Sequence, residues 1–119
     1  MENNKLYNLL LKGWFRTRGR SSRQEYILKI LMMFLIGGIS EIFLYIKVNI
    51  LIIGFIVAPI GILSVIQIFF VTHRRLHDLN ASGWWQLITF IPFGQILMIG
   101  FIFFKGTQGT NKYGEEPKY

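Results

Sequence analysis

Ile50-Leu51-Ile52-Ile53-Gly54-Phe55-Ile56-Val57-Ala58 offers no polar side chain to any face of a helix. A helix of a water-soluble domain carries an apolar stripe and a polar back, so water cannot be the solvent around this stretch. It lies inside a longer apolar run from Val48 to Val71, and two more flank it, Ile27 to Tyr45 and Leu87 to Phe104. Each is close to the roughly 20 residues that a helix needs to cross a hydrocarbon core about 30 Å thick. The expected fold is therefore an all-α integral membrane bundle of about three transmembrane helices, over about residues 23–46, 48–76 and 83–104. These three spans and their short connections use up the 119 residues, so one membrane domain over residues 1–119 is expected, with a Gly-rich tail over 105–119.

The formal net charge is +7, and the basic residues sit at the flanks of the apolar runs. Lys5, Lys12, Arg16, Arg18, Arg20 and Arg23 precede the first run, against Glu2 and Glu25, and Arg74 and Arg75 follow the second. Lysine and arginine accumulate on the cytoplasmic side of membrane proteins. Both clusters are thus expected inside, with the turn around Ile46 and Lys47 outside. The first run is too long for a signal-peptide core and lacks a small-residue cleavage pattern, so it reads as an uncleaved span. Anchoring accounts for the charge without nucleic acid, for which no motif is present. Anionic lipid headgroups are the expected secondary partner, at about 1 kcal/mol for each juxtamembrane base. Without a single cysteine, no disulfide framework or thiolate site is available.

The third run is interrupted by Ile91-Pro92-Phe93-Gly94. Proline removes a backbone donor, which predicts a span kinked at Pro92 with the tail outside. A re-entrant hairpin is the alternative and would return the tail to the cytoplasm. Glycine and alanine at Gly37, Gly38, Gly54, Ala58 and Gly61 read as faces where helices approach closely, Gly54 and Ala58 having small-xxx-small spacing. Among ionisable side chains within the runs, Glu41 stands out, near the outer boundary and within reach of Lys47, either snorkelling or serving a relay.

Between the runs, Leu6, Leu9, Leu10 and Trp14 recur at helical spacing and predict a short interfacial helix over about residues 5–15, or else a frayed tail. Ser22 and Glu25 have the spacing of a capping box, which starts the first membrane helix at Arg23. Arginines at a helix N-terminus oppose its dipole, so Arg20 and Arg23 call for an anionic counterpart. Lipid phosphate is one; Asp78, brought beside them by the short turn between the first two helices, is another. His73 and His77 are four residues apart, a spacing compatible with zinc, but only Asp78 is adjacent to complete a ligand set. His77 and Asp78 would be the acid–base pair of an enzyme, though no substrate pocket is evident. The ordinary reading ends the second helix near Leu79-Asn80, re-enters at Ser82 and anchors Trp84 and Trp85 at the interface. The tail is turn chemistry, read as an ordered cap or a mobile end, and its Gly106, Gly109, Asn111, Tyr113, Gly114 and Pro117 form no phosphate-binding loop.

Taken in order, Gly19-Arg20-Ser21-Ser22-Arg23-Gln24-Glu25-Tyr26, Arg74-Arg75-Leu76-His77-Asp78-Leu79, Ser82-Gly83-Trp84-Trp85, Ile91-Pro92 and the spaced tail residues resemble a bacterial family of small inner-membrane proteins catalogued as domain of unknown function 805. Ile27 stands where that family commonly has tryptophan. The resemblance implies a bacterial cytoplasmic membrane location, with several spans, and no established activity or cofactor. Three functions follow as expectations: an accessory protein that binds lipids and membrane protein partners or further copies of itself, a subunit of a small transporter or channel, and an enzyme using His77 and Asp78.

Overall fold

The computed structural model describes residues 2–10 and 13–118. Lys12 and part of the expected interfacial helix lie outside them. The described residues are helical wherever they are regular, with a single isolated bridge between Asn111 and Gly114.

Helix α1 (Glu2–Leu10) begins earlier than the expected 5–15 segment, and residues 13–15 at that segment's end form a turn. Gly13 takes a left-handed φ of 73°, and a turn closes from the Arg16 amide to the Gly13 carbonyl at 3.3 Å. The Trp14 indole donates to the Leu10 carbonyl, satisfying one of the acceptors that a helix end leaves open. Phe15 then meets Phe70 edge-on, which holds this turn against the second long helix.

Helix α2 (Arg23–Tyr45) starts where the cap pattern places it: the Ser22 hydroxyl accepts from the Glu25 amide at 3.1 Å. The capping box is only half used, because the Glu25 carboxylate is turned toward Arg74, Lys29 and Ser21. A four-residue turn leads to α3 (Ile50–Asp78), whose first turn is capped by Asn49. Within α3 the segment Ile53–Val57 widens into a π-helix, and the Ala58 amide bonds to the Ile53 carbonyl. Pro59 explains it. Its ring would strike the Phe55 carbonyl and it has no N–H to offer, so the helix relaxes by one extra residue just upstream.

Two helices, α2 with 23 residues and α3 with 29, are long and apolar enough to cross a membrane. Their apolar side chains are mostly uncovered, including Phe34 at 67% and Phe55 at 80% exposure. The buried set is correspondingly polar: Arg75, Tyr26, Lys29, Val71 and Ser21 are the largest fully buried side chains among the described residues. Apolar outside and polar inside is an arrangement that hydrocarbon, not water, can solvate.

The third apolar run is not one continuous helix bent at Pro92. Residues 83–104 form a 3-10 helix (Gly83–Phe90), a turn, and helix α4 (Gln95–Phe103). Ile91, constrained by the following proline, is extended with ψ 145°. Phe93 then reverses the chain at φ 67°, and the Gly94 amide bonds to the Ile91 carbonyl at 2.8 Å. The 3-10 helix rises about 16 Å and α4 about 14 Å, so neither alone crosses a core about 30 Å thick. Both ends of the hairpin sit on the last turns of α3. Gly83 packs on the His73 ring, and the carbonyls of Phe101 and Phe104 accept from Arg75. The tail consequently emerges at the end where α2 begins.

The small-residue faces also differ from expectation. A Cβ at Gly37, Gly38, Gly54 or Gly61 would meet nothing within 4 Å, so these residues face outward and not into a helix contact. Gly54→Leu should therefore leave stability unchanged or raise it by up to about 1 kcal/mol through helix propensity. Unfolding of the detergent-solubilised protein with increasing SDS measures this; a loss above about 2 kcal/mol would place Gly54 in a close packing contact.

Candidate functional site

Nearly all of the buried charge gathers at the end of the bundle where α2 starts and α3 stops. Asp78 is the last residue of α3, where the helix dipole disfavours a carboxylate. Two arginines offset it. Arg20 donates from Nε to Asp78 Oδ1 at 2.9 Å, and Arg75 Nη1 pairs with Oδ2. Arg20 comes from the loop before α2, where Gly19 adopts φ 89° and the Ser21 amide bonds to the Arg74 carbonyl at 3.1 Å. Arg23, the other expected partner, is exposed and does not pair with Asp78.

Each arginine also binds backbone. Arg20 donates to the carbonyls of Thr107, Gly109 and Gly114, and the Thr107 amide returns to the Asp78 carbonyl at 2.7 Å. Arg75 donates to Phe101 and Phe104, which are carbonyls left open by the end of α4, and to Ser21 at 3.4 Å. Thus Arg20 fastens the tail and Arg75 the hairpin, both through one carboxylate. Gly106 is part of the same fit, because a Cβ there would collide with the Asp78 carboxylate.

A second pair lies beside the first. Glu25, in the first turn of α2 where the dipole favours it, accepts Arg74 at 2.7 and 3.3 Å, Lys29 at 2.7 Å and the Ser21 hydroxyl at 2.9 Å. Arg74 continues to the Gly13 carbonyl at 3.1 Å and so ties in the turn after α1. Lys29, Ser21 and Gln86 were not singled out in the sequence. Lys29 had a readable signal: it lies four residues after Glu25 on a run otherwise apolar, whereas Glu41, the residue that drew attention there, is exposed. Ser21 and Gln86 had none.

The histidines are packed in place. His77 stacks on Tyr113 at 3.9 Å with 5° between planes, and its Nδ1 lies 3.0 Å from the Gly19 carbonyl, which requires the proton on that nitrogen. Asn111 donates to the His77 carbonyl at 2.9 Å. His73 Nδ1 is 3.0 Å from Gln86 Nε2, and its ring fills the place a Gly83 side chain would take. Among the described residues no group of three His, Asp or Glu could hold a metal ion.

The tail is an ordered cap over this cluster. Asn111 and Gly114 bond reciprocally at 3.0 and 3.1 Å, with Gly109 and Gly114 at positive φ, and Pro117 lines two cavities beside the cluster. Trp84 meets the cluster through an edge-on ring contact with His73 at 6.5 Å, and Trp85 makes no hydrogen bond to its charged groups. They are 69% and 61% exposed at the start of the hairpin, as suits the headgroup level.

A sequence profile for a family described as a protein of unknown function, DUF805, matches residues 14–115. The chain is 34% identical over 118 residues to the inner membrane protein YhaI of Escherichia coli K12, covering 95% of each chain. It is 33% identical over 117 residues to the inner membrane protein YhaH of the same organism, covering 94% of this chain and 95% of the relative. No solved structure matches.

Proposed function

The chain belongs to the DUF805 family, and from that premise we propose that it is an inner-membrane accessory protein that engages lipids and membrane protein partners and performs no reaction of its own. One observation carries the reading. The groups an enzyme would use, His77, Asp78 and Glu25, are all engaged in holding the tail, the hairpin and α1 to the two long helices. A carboxylate whose two oxygens are both taken by buried arginines has no oxygen free to meet a substrate, and an imidazole stacked beneath a tyrosine offers no open approach to one. The groups left over include lipid-facing apolar side chains and exposed cations such as Arg16, Arg18, Arg23 and Lys105.

In this reading α2 and α3 cross the bilayer and residues 83–104 dip into it from the cytoplasmic side and return. The basic end then lies inside, with both the start of α2 and the tail. The apolar tip of the hairpin, with Phe90 73% and Phe93 81% exposed, enters the hydrocarbon. A pore subunit is less well supported, since Ser64 and Gln67, the buried polar residues deep in α3, are covered by this chain's own helices.

Single cysteines at Asn49, Asn80 and Thr110, exposed in turn to an impermeant maleimide in intact spheroplasts, test the arrangement. Labelling is expected at Asn49 alone, with Asn80 and Thr110 reacting only after lysis. Labelling of Thr110 from outside would restore a third full crossing and put the cap beyond the reach of cytoplasmic partners.

A further inference from the structure

Beside the ion-pair cluster a cavity of about 220 Å³ opens between the first turn of α2 and the start of the tail. Ser22, Arg23, Arg75, Asp78, Lys105 and Glu116 are among the residues that line it. Its charges are not balanced. Asp78 is already shared by Arg20 and Arg75, and the exposed Glu116, held by the Gly109 amide at 2.7 Å, leaves one negative charge against the two of Arg23 and Lys105. Arg23 and Lys105 are exposed, and neither has a carboxylate partner among the described residues. Behind the wall the imbalance continues: Arg20, Arg74 and Arg75 pair with Asp78 and Glu25, three guanidinium groups on two carboxylates. Backbone carbonyls take up the remaining guanidinium N–H groups but carry no formal charge to offset them.

The surroundings indicate what kind of anion would restore the balance. Lys105 directly follows Phe103 and Phe104, which are 74% and 55% exposed, so the cationic cavity adjoins apolar surface. The 23-residue α2 directs its positive dipole end toward the same place. We propose that the cavity seats the phosphate of an anionic membrane phospholipid, with Arg23 and Lys105 donating charge-assisted hydrogen bonds to its oxygens and an acyl chain lying along Phe103 and Phe104. This rests on the reading that the basic end of the bundle lies at the cytoplasmic headgroup level, and it adds a defined site to a general attraction. An anion here would also screen the excess charge of the cluster, coupling the cap to lipid composition.

The test uses the full chain in mild detergent, incubated with dioleoylphosphatidylglycerol or dioleoylphosphatidylcholine and examined by native mass spectrometry. Arg23→Gln with Lys105→Gln should lower phosphatidylglycerol retention by at least about 10-fold, since each juxtamembrane base contributes roughly 5-fold. Arg16→Gln with Arg18→Gln removes the same charge outside the cavity and should lower retention clearly less than the first pair does, through general attraction alone. Arg23→Lys with Lys105→Arg keeps the charge and should keep the lipid, which guards against a folding defect. Excess inorganic phosphate should not displace phosphatidylglycerol, and phosphatidylcholine should be retained less. Equal loss in the two glutamine pairs would reduce the site to diffuse attraction and overturn it. Displacement by inorganic phosphate would identify a soluble phosphate as the ligand, overturning the lipid. Cytoplasmic topology fails separately, through labelling of Asn80 from outside.

Discussion

Asp78→Asn should destabilise the protein by about 3–5 kcal/mol, the range for breaking a buried ion pair and leaving its partner charged. The loss is large because one carboxylate serves two arginines with side chains only 1% exposed. Asparagine keeps the shape and one acceptor oxygen but not the charge, so Arg20 and Arg75 would face each other across a neutral amide. The damage should also be spatially specific. Arg20 carries the tail carbonyls and Arg75 the end of α4, so both should loosen before α2 and α3 separate. Unfolding with increasing SDS in detergent measures the stability, and trypsin cleavage after Lys112 measures release of the cap. The double variant Asp78→Asn with Arg20→Gln should lose less than the sum of the two single variants, because removing Arg20 also removes one uncompensated charge. Strict additivity would show that the pair does not couple.

The parts that could be read from the sequence are those set by one local cause. The length and uniformity of the apolar runs placed α2 and α3, and Ser22 with Glu25 placed the start of α2, because span length and cap chemistry are local properties. Pro92 announced an interruption, but whether it bends a helix or reverses the chain depends on what holds the two halves. Here Arg75 holds one end and His73 packs against the other, a tertiary fact with no local signal. The glycine faces misled for a related reason. Small-xxx-small spacing says that helices can approach closely, and α2 and α3 do not use it. The polar cluster was half legible. Arg20, Arg75 and Asp78 stood out as charges at helix ends, while Lys29 was lost inside an apolar run and Ser21 and Gln86 looked like ordinary polar residues.

The same physics makes Glu25 the second sensitive position, and here a further substitution is expected to repair the first. Glu25→Gln should cost about 3–5 kcal/mol, since Arg74 and the fully buried Lys29 lose their shared carboxylate. The two cations then repel each other in a place water reaches poorly. Lys29→Met removes one of them and replaces it with a flexible apolar chain of similar length, on a helix that otherwise faces hydrocarbon. Glu25→Gln with Lys29→Met should therefore be more stable than Glu25→Gln alone, by about 1–2 kcal/mol, because one of the two cations that face the neutral amide is gone. Lys29→Met by itself should be mild, since Arg74 still grips both carboxylate oxygens. Arg74→Lys should be more costly than Lys29→Met, because a point-charge ammonium cannot keep the fork on Glu25 and also reach the Gly13 carbonyl. SDS unfolding of the four variants decides it. If the double variant proves less stable than Glu25→Gln, Lys29 contributes through something other than its charge beside Arg74, and the excess of positive charge at this end of the bundle would lose its energetic meaning.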